Sequence, residues 1–144
     1  METQNYANHR RFVPLFHFVL FGLIVLTFIG SIVNLYHSLG DHQRIYSASL
    51  IVVIMICLLL LFFFCREFAL KVQDRAIRAE ENFRHYVHTG KLLDPKLTVR
   101  QIIGLRFASD REFVALAQKA ATESLSEDAI KKAIKNWRAD THRV

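Results

Sequence analysis

Two uncharged apolar runs constrain this chain more than anything else in it. From Val13 to Leu35 the sequence reads VPLFHFVLFGLIVLTFIGSIVNL, and from Ala48 to Cys65 it reads ASLIVVIMICLLLLFFFC. Neither contains Asp, Glu, Lys or Arg. The first run would make ~34 Å of helix at 1.5 Å per residue, enough to cross a hydrocarbon core of ~30 Å. In hydrocarbon every backbone polar group must be satisfied within the segment, so a spanning stretch of this kind is helical. A soluble chain of 144 residues would spread its apolar side chains along its length; here they crowd between Phe12 and Cys65, and charge crowds after it.

The expected fold is therefore all-α: a two-helix transmembrane hairpin, a long amphipathic extension of the second helix, and a small helical C-terminal cytoplasmic region. The divisions are a polar N-terminal segment (1–12), a first span (13–36), a short connector (37–44), a second span (45–65), an amphipathic helix (66–90) and a helical tail (91–144). Pro14 suits the start of a helix, where its missing N–H costs nothing. Gly40 and Asp41 supply the connector's turn, and Tyr36 and Tyr46 flank it as interfacial aromatics do. The first run is too long for the apolar part of a cleavable signal and no small-residue cleavage pattern follows it, so it is read as a retained span.

Beyond Cys65 the pattern changes. Phe68, Val72, Arg75/Ala76, Ala79, Phe83 and Tyr86/Val87 recur every three to four residues, while Lys71, Asp74, Arg78, Glu81 and Arg84 occupy the opposite face in mixed sign. Gly90 is placed to end this helix. In the tail, Thr98 with Gln101 and Ser109 with Glu112 fit capping boxes. Ser126 with Glu127 and Asp128 opens a third helix, SEDAIKKAIKNWRAD, with acids first and bases later as the helix dipole prefers. Ile102, Ile103, Leu105, Phe107, Phe113, Leu116, Ala117, Leu125, Ile130, Ile134 and Trp137 are the expected core. About fifty residues is marginal for independent stability, so this tail is expected to lean on the long helix, the membrane surface or another subunit.

Charge gives an orientation. After Phe64 there are 16 Lys/Arg against 11 Asp/Glu, and Arg10 and Arg11 precede the first span, whereas the connector carries only Arg44 against Asp41. Cytoplasmic flanks are the basic ones, so both termini are expected in the cytoplasm. The location expected from charge is a membrane that borders the cytoplasm.

Candidate sites are few. His17 is the one ionisable residue inside a span. It is either a haem, metal or proton-handling group, since intramembrane ionisable residues are functional candidates, or a neutral imidazole bonded near the headgroups. The stripe Gly22, Thr27, Gly30, Ser31 and Asn34 is a candidate helix-packing interface, either with the second span near Ser47 and Ser49 or with another subunit. Asn5, Tyr6, Asn8, His9, Arg10, Arg11 and His17 form a candidate polar cluster at the inner surface. It would cap the first span, dock onto residues 66–88, or meet a partner or headgroup. Arg66, Lys71, Arg75, Arg78 and Trp137 are candidate contacts to headgroups or a partner. His85 and His88 stand i, i+3 on one helix but lack the further ligands zinc needs, and Cys57 and Cys65 have no metal or disulfide spacing. Cys65, beside Arg66, is where acylation would fall.

No nucleophile–base pattern, phosphate-cradling loop or paired carboxylate is evident, so no enzyme, cofactor or metal site is expected. Nucleic acid is not expected either, because the basic residues are interleaved with acids. The expectation is a non-catalytic interaction protein with the bilayer as one partner and like chains or other membrane subunits as the rest. The rivals are an electron-transfer subunit binding haem through His17 of two chains, and a small oligomeric channel or transporter component.

The segment QNYANHRRFVPLFHF (Gln4 to Phe18) resembles the opening of a family of small bacterial two-span membrane proteins known only as a domain of unknown function. The likeness continues through Gly30 to Tyr36, Leu105 to Phe113 and Ile134 to Asp140. It implies an architecture, nearly the whole chain long, a place in a bacterial inner (cytoplasmic) membrane, and no activity; it also favours an unprocessed N-terminus.

Overall fold

A computed structural model describes residues 4–9 and 12–140. The described residues are helical apart from turns, a short extended stretch and one isolated bridge. A π-helical segment, Leu15–Leu20, runs into α1 (Phe21–His37); α2 (His42–Thr89) follows, then α3 (Val99–Leu105), α4 (Asp110–Thr122) and α5 (Glu127–Ala133). The chain divides into two compact units, residues 12–69 and residues 1–11 with 70–144.

In the first unit, Leu15–His37 and the apolar part of α2 are both long and apolar enough to cross a membrane. The turn between them follows the sequence closely. Gly40 adopts φ +93°, where a side chain would be strained, and the Asp41 carboxylate accepts the Gln43 N–H at 3.0 Å to start α2. The less exposed positions recur at 3.5-residue spacing along both helices: Ile24, Phe28, Ser31 and Leu35 on α1, and Ala48, Val52, Met55, Leu59 and Phe62 on α2. That is the period of helices packed side by side. Phe16 stacks on Phe62 with ring centroids 4.4 Å apart. The other faces stay bare: Leu26 is 68 % exposed and Phe63 58 %.

In the second unit, α3, α4 and α5 pack with Ile77 of α2 around Leu105, Phe107, Phe113 and Ile130. Every residue expected in the core lies in it or against it. The Thr98–Gln101 capping box is complete, with the Gln101 Oε1 taking the Thr98 N–H at 2.8 Å. Ser126 accepts the Ala129 N–H at 3.1 Å. Gly90, at φ +71°, follows the last residue of α2.

Two expectations fail here. Ser109 and Glu112 make no capping box: the Ser109 hydroxyl caps no backbone N–H, and the Glu112 carboxylate instead accepts the N–H groups of Lys135 (3.2 Å) and Asn136 (2.9 Å). The third helix also stops at Ala133 rather than running to Asp140. From Ile134 the chain is extended, and it pairs with residues 107–109 through Ser109 N–H to Asn136 O (3.0 Å) and Arg138 N–H to Phe107 O (2.8 Å). Long-range backbone pairing here outweighs the local preference of KKAIKNW for helix.

Gly104 sets the α3–α5 spacing. A Cβ at that position would lie 3.2 Å from the Glu127 carbonyl oxygen and 3.3 Å from the Ile130 Cγ2. Gly104→Leu should therefore destabilise this unit by about 1–3 kcal/mol, read as a lowered denaturation midpoint.

Candidate interaction site

The polar residues of the second unit gather around one guanidinium. Arg84, on α2, has only 9 % of its side chain exposed. Its Nε and Nη2 donate to Asp110 Oδ1 at 2.8 and 2.6 Å, its Nη1 to Glu81 Oε2 at 3.0 Å, and Nη2 also to the Ala108 carbonyl at 2.7 Å. The guanidinium plane lies 4.2 Å from the centre of the Phe113 ring. One side chain thus ties α2 to the 107–109 loop and to the start of α4. Planar, multiply donating Arg suits this task where Lys would not.

The carboxylates respond in opposite senses. Burial pushes Glu81 up from the usual carboxylate range, against the pull of the Arg84 hydrogen bond. Asp110 sits at the surface and is held low, chiefly by its hydrogen bond from Arg84. For Glu112 burial acts upward, but hydrogen bonds from the backbone of Asn136 and Lys135 and from Ser109 outweigh it, and the net shift is downward.

Beside this cluster runs a cleft of ~370 Å³ walled by Gln73, Ile77, Glu80, Glu81, Arg106, Arg138 and Asp140 among others. The Arg106 Nε is 3.3 Å from Asp140 Oδ2, near enough to pair electrostatically but without hydrogen-bond geometry. Its guanidinium also lies over Phe107, 4.6 Å from the ring centre. The lining mixes both signs of charge, so it selects neither an anion nor a cation. Among the described residues no group of three His, Cys, Asp or Glu is placed to hold a metal ion.

The expected polar cluster divides between the two units. Gln4 to His9 dock onto the second: the Tyr6 hydroxyl donates to Asp128 Oδ1, Gln4 Oε1 accepts the Asp140 N–H at 2.7 Å, and His9 lies 5.9 Å from both Phe107 and Trp137, ring to ring. Asn5 and Asn8 shape the segment locally, Asn5 Oδ1 accepting the Ala7 N–H at 2.8 Å and Asn8 Oδ1 the Asn5 N–H. Asp128 is held low by Lys132 first and Tyr6 second. Arg10 and Arg11 fall outside the described residues. His17 belongs to the other unit, where its Nδ1 lies 2.9 Å from the Val13 carbonyl oxygen and 3.1 Å from the Val13 N–H. One ring nitrogen is thus engaged with the backbone that opens the helix.

The small-residue stripe of α1 also divides. Ser31 is buried and Gly22 half-buried, but Thr27, Gly30 and Asn34 are exposed. Neither Gly22 nor Gly30 has an atom from another part of the described chain within 4 Å of where a Cβ would stand, so neither marks a close approach of α2. The hydroxyls bond within their own helix, Thr27 to Leu23 O and Ser31 to Phe28 O, both at 2.7 Å. Of the proposed headgroup or partner contacts, Lys71, Arg75 and Arg78 are exposed and Arg66 is half-buried. Trp137 is placed differently, packed on Phe107 with ring centroids 5.1 Å apart. His85 and His88 have separate duties: His85 Nδ1 is 2.7 Å from the Lys91 carbonyl and His88 Nε2 is 3.5 Å from Asp110. The interior role of Arg84 and the strap-holding role of Glu112 are absent from the sequence reading. Arg84 reads as part of a solvated face, and Glu112 as half of a local cap.

These features define an all-helical protein with two helices long and apolar enough to cross a membrane, joined to a small helical unit organised by buried charge. The chain belongs to the family of unknown function DUF6526, which it matches over residues 1–144. Neither the curated proteins nor the solved structures contain a match to it.

Two outcomes follow from the geometry. Arg84→Met leaves Glu81 buried without its partner and should cost about 3–5 kcal/mol; adding Glu81→Gln should recover part of that loss, measured as coupling in a double-mutant denaturation cycle. Glu112, whose folded-state pKa is depressed, stabilises the fold above the usual carboxylate pKa, and this contribution is lost as pH falls through the folded-state value. The difference in denaturation midpoint between the natural chain and Glu112→Gln should therefore be largest at neutral pH and shrink on acidification.

Proposed function

We infer that this chain is a non-catalytic integral membrane interaction protein. It crosses the bilayer twice as a helical hairpin, keeps both termini in the cytoplasm of a bacterial cell, and presents a small helical module there as a homo-oligomer or an accessory subunit of a larger complex. The observation that carries this reading is the docking of residues 4–9 onto residues 128–140. Those two parts of the chain flank the apolar region, and they can touch only if both lie on one side of the membrane. An even number of crossings satisfies that, and two helices of sufficient length are present.

Other features support the same reading. The apolar faces of both helices are left uncovered, as lipid-facing surfaces are, and the serine and threonine hydroxyls of α1 are satisfied within the helix, as hydrocarbon requires. The excess of Lys and Arg lies on the flanks that dock together. The haem reading has less behind it, because the apolar part of α2 carries no His, Asp or Glu to serve as a second axial ligand and a second chain would have to supply one; the Nδ1 contact of His17 to Val13 leaves the other ring nitrogen for a ligand and does not decide the matter. The channel reading lacks a polar stripe on the apolar part of α2 to wet a pore.

Single cysteines report the topology. In a chain with Cys57 and Cys65 replaced by Ser, a membrane-impermeant maleimide applied to intact cells should label His42→Cys in the turn. It should reach Lys96→Cys only after the membrane is opened. Labelling of Lys96→Cys in intact cells would reject the orientation, and recovery of the chain in the soluble fraction would reject the membrane assignment.

A further inference from the structure

Helix α2 buries the face that an amphipathic helix would normally expose. Beyond residue 70 its inward positions are Ile77 and Glu81, with Gln73, Asp74, Arg84 and His85 partly covered. Its apolar stripe lies on the other side, with Ala76 and Phe83 at the rims of clefts beside the module. Val72 is 68 % exposed, Phe83 68 % and Tyr86 53 %, with Ala76 and Ala79 exposed between them. The spacing 72, 76, 79, 83, 86 alternates four and three residues, which is the a/d seam of a coiled coil.

We propose that this stripe pairs with the same stripe of a second copy of the chain, as a short parallel two-helix coil formed between α2 helices side by side in one membrane. The proposal rests on the membrane reading above, which also fixes its direction. Copies inserted with one topology send α2 the same way, so the pair must be parallel. With Ala76 and Phe83 at a, and Val72, Ala79 and Tyr86 at d, Arg75 falls at g and Glu80 at e. In a parallel pair the g residue of one helix faces the e residue five positions on in its partner. That register sets Arg75 of each copy against Glu80 of the other, twice by symmetry. Both side chains are exposed, and neither forms an ion pair within the described residues. An antiparallel arrangement would not bring these opposite charges together in this way.

The alternative occupants fit less well. A helix lying on a membrane surface keeps the side opposite its apolar stripe in water, whereas that side of α2, with Ile77, Glu81 and Arg84, packs against the module, and of the Lys and Arg residues of α2 beyond residue 70 only Lys71, Arg75 and Arg78, along its flanks, stay exposed. Alanines at the centre of the stripe offer little to insert into lipid but let two backbones approach closely. Two heptads are short for a free coiled coil; shared anchoring in one bilayer raises the effective concentration of the second helix.

The test is disulfide cross-linking of the full chain in native membranes, with Cys57→Ser and Cys65→Ser as background. Val72→Cys and Ala79→Cys should each yield covalent homodimers, and Arg78→Cys, exposed but off the seam, should not. Arg75→Glu or Glu80→Arg alone should reduce the Val72→Cys dimer about fivefold, a modest effect as expected for exposed ion pairs, and the two together should restore it. Dimers at 79 without dimers at 72 would mean antiparallel pairing and overturn the proposal. So would equal yields at 72, 78 and 79, or cross-links to a different protein. Carbonate extraction of the same membranes reads the underlying assignment separately. A chain that washes off refutes the membrane reading, and a chain that stays embedded without seam-specific dimers refutes the pairing alone.

Discussion

The Arg84 guanidinium decides how the helical module is put together. It reaches Glu81 on its own helix, the Ala108 carbonyl and Asp110, and it covers the Phe113 ring. A buried charge is costly unless paired and hydrogen-bonded, and here several of the donors are used. Because Ala108 precedes α4 and Asp110 begins it, α2 turns the side that bears Glu81 and Arg84 inward. The rotation of a long helix about its axis is thus set by a few polar contacts in addition to the apolar packing of Ile77. What remains outward is the side that an apolar pattern alone would have buried.

This explains why some of the structure was legible in the sequence and some was not. Uncharged runs announce themselves, and so do Thr98 and Gln101, because each signal is local. The core of the tail was legible as a set of residues, since Phe107, Phe113 and Ile130 have few other places to go. The face that α2 would bury was not, because periodicity finds a stripe without saying whether its own chain covers it. Glu112 misled in the same way: its spacing from Ser109 fits a cap, but the N–H groups it serves come from residues 135 and 136. Trp137 carried two expectations, a place in the core and a contact to headgroups or a partner; with the backbone of residues 136–138 bonded to residues 107–109, the indole lies on Phe107 against the core.

The candidate site shows the same division. Of the N-terminal polar residues, Tyr6 and His9 have partners more than a hundred positions away, and nothing in QNYANH names Asp128 or Trp137 as those partners. His17 stands out by composition inside an apolar run, yet its backbone contact to Val13 depends on the geometry of one helical turn. The α1 stripe shared a composition and not a common environment, as Ser31 is buried and Gly30 is not.

The clasp between residues 4–9 and residues 128–140 has a consequence in time. Gln4 is bonded to Asp140, 136 positions later, so the opening segment has no docking place while the ribosome is still making the tail. Residues 4–9 are made early and stay undocked until residues 128–140 have been made, so this part of the module can close only then. The Gln4–Asp140 bond is thus among the last of the described contacts that synthesis makes possible.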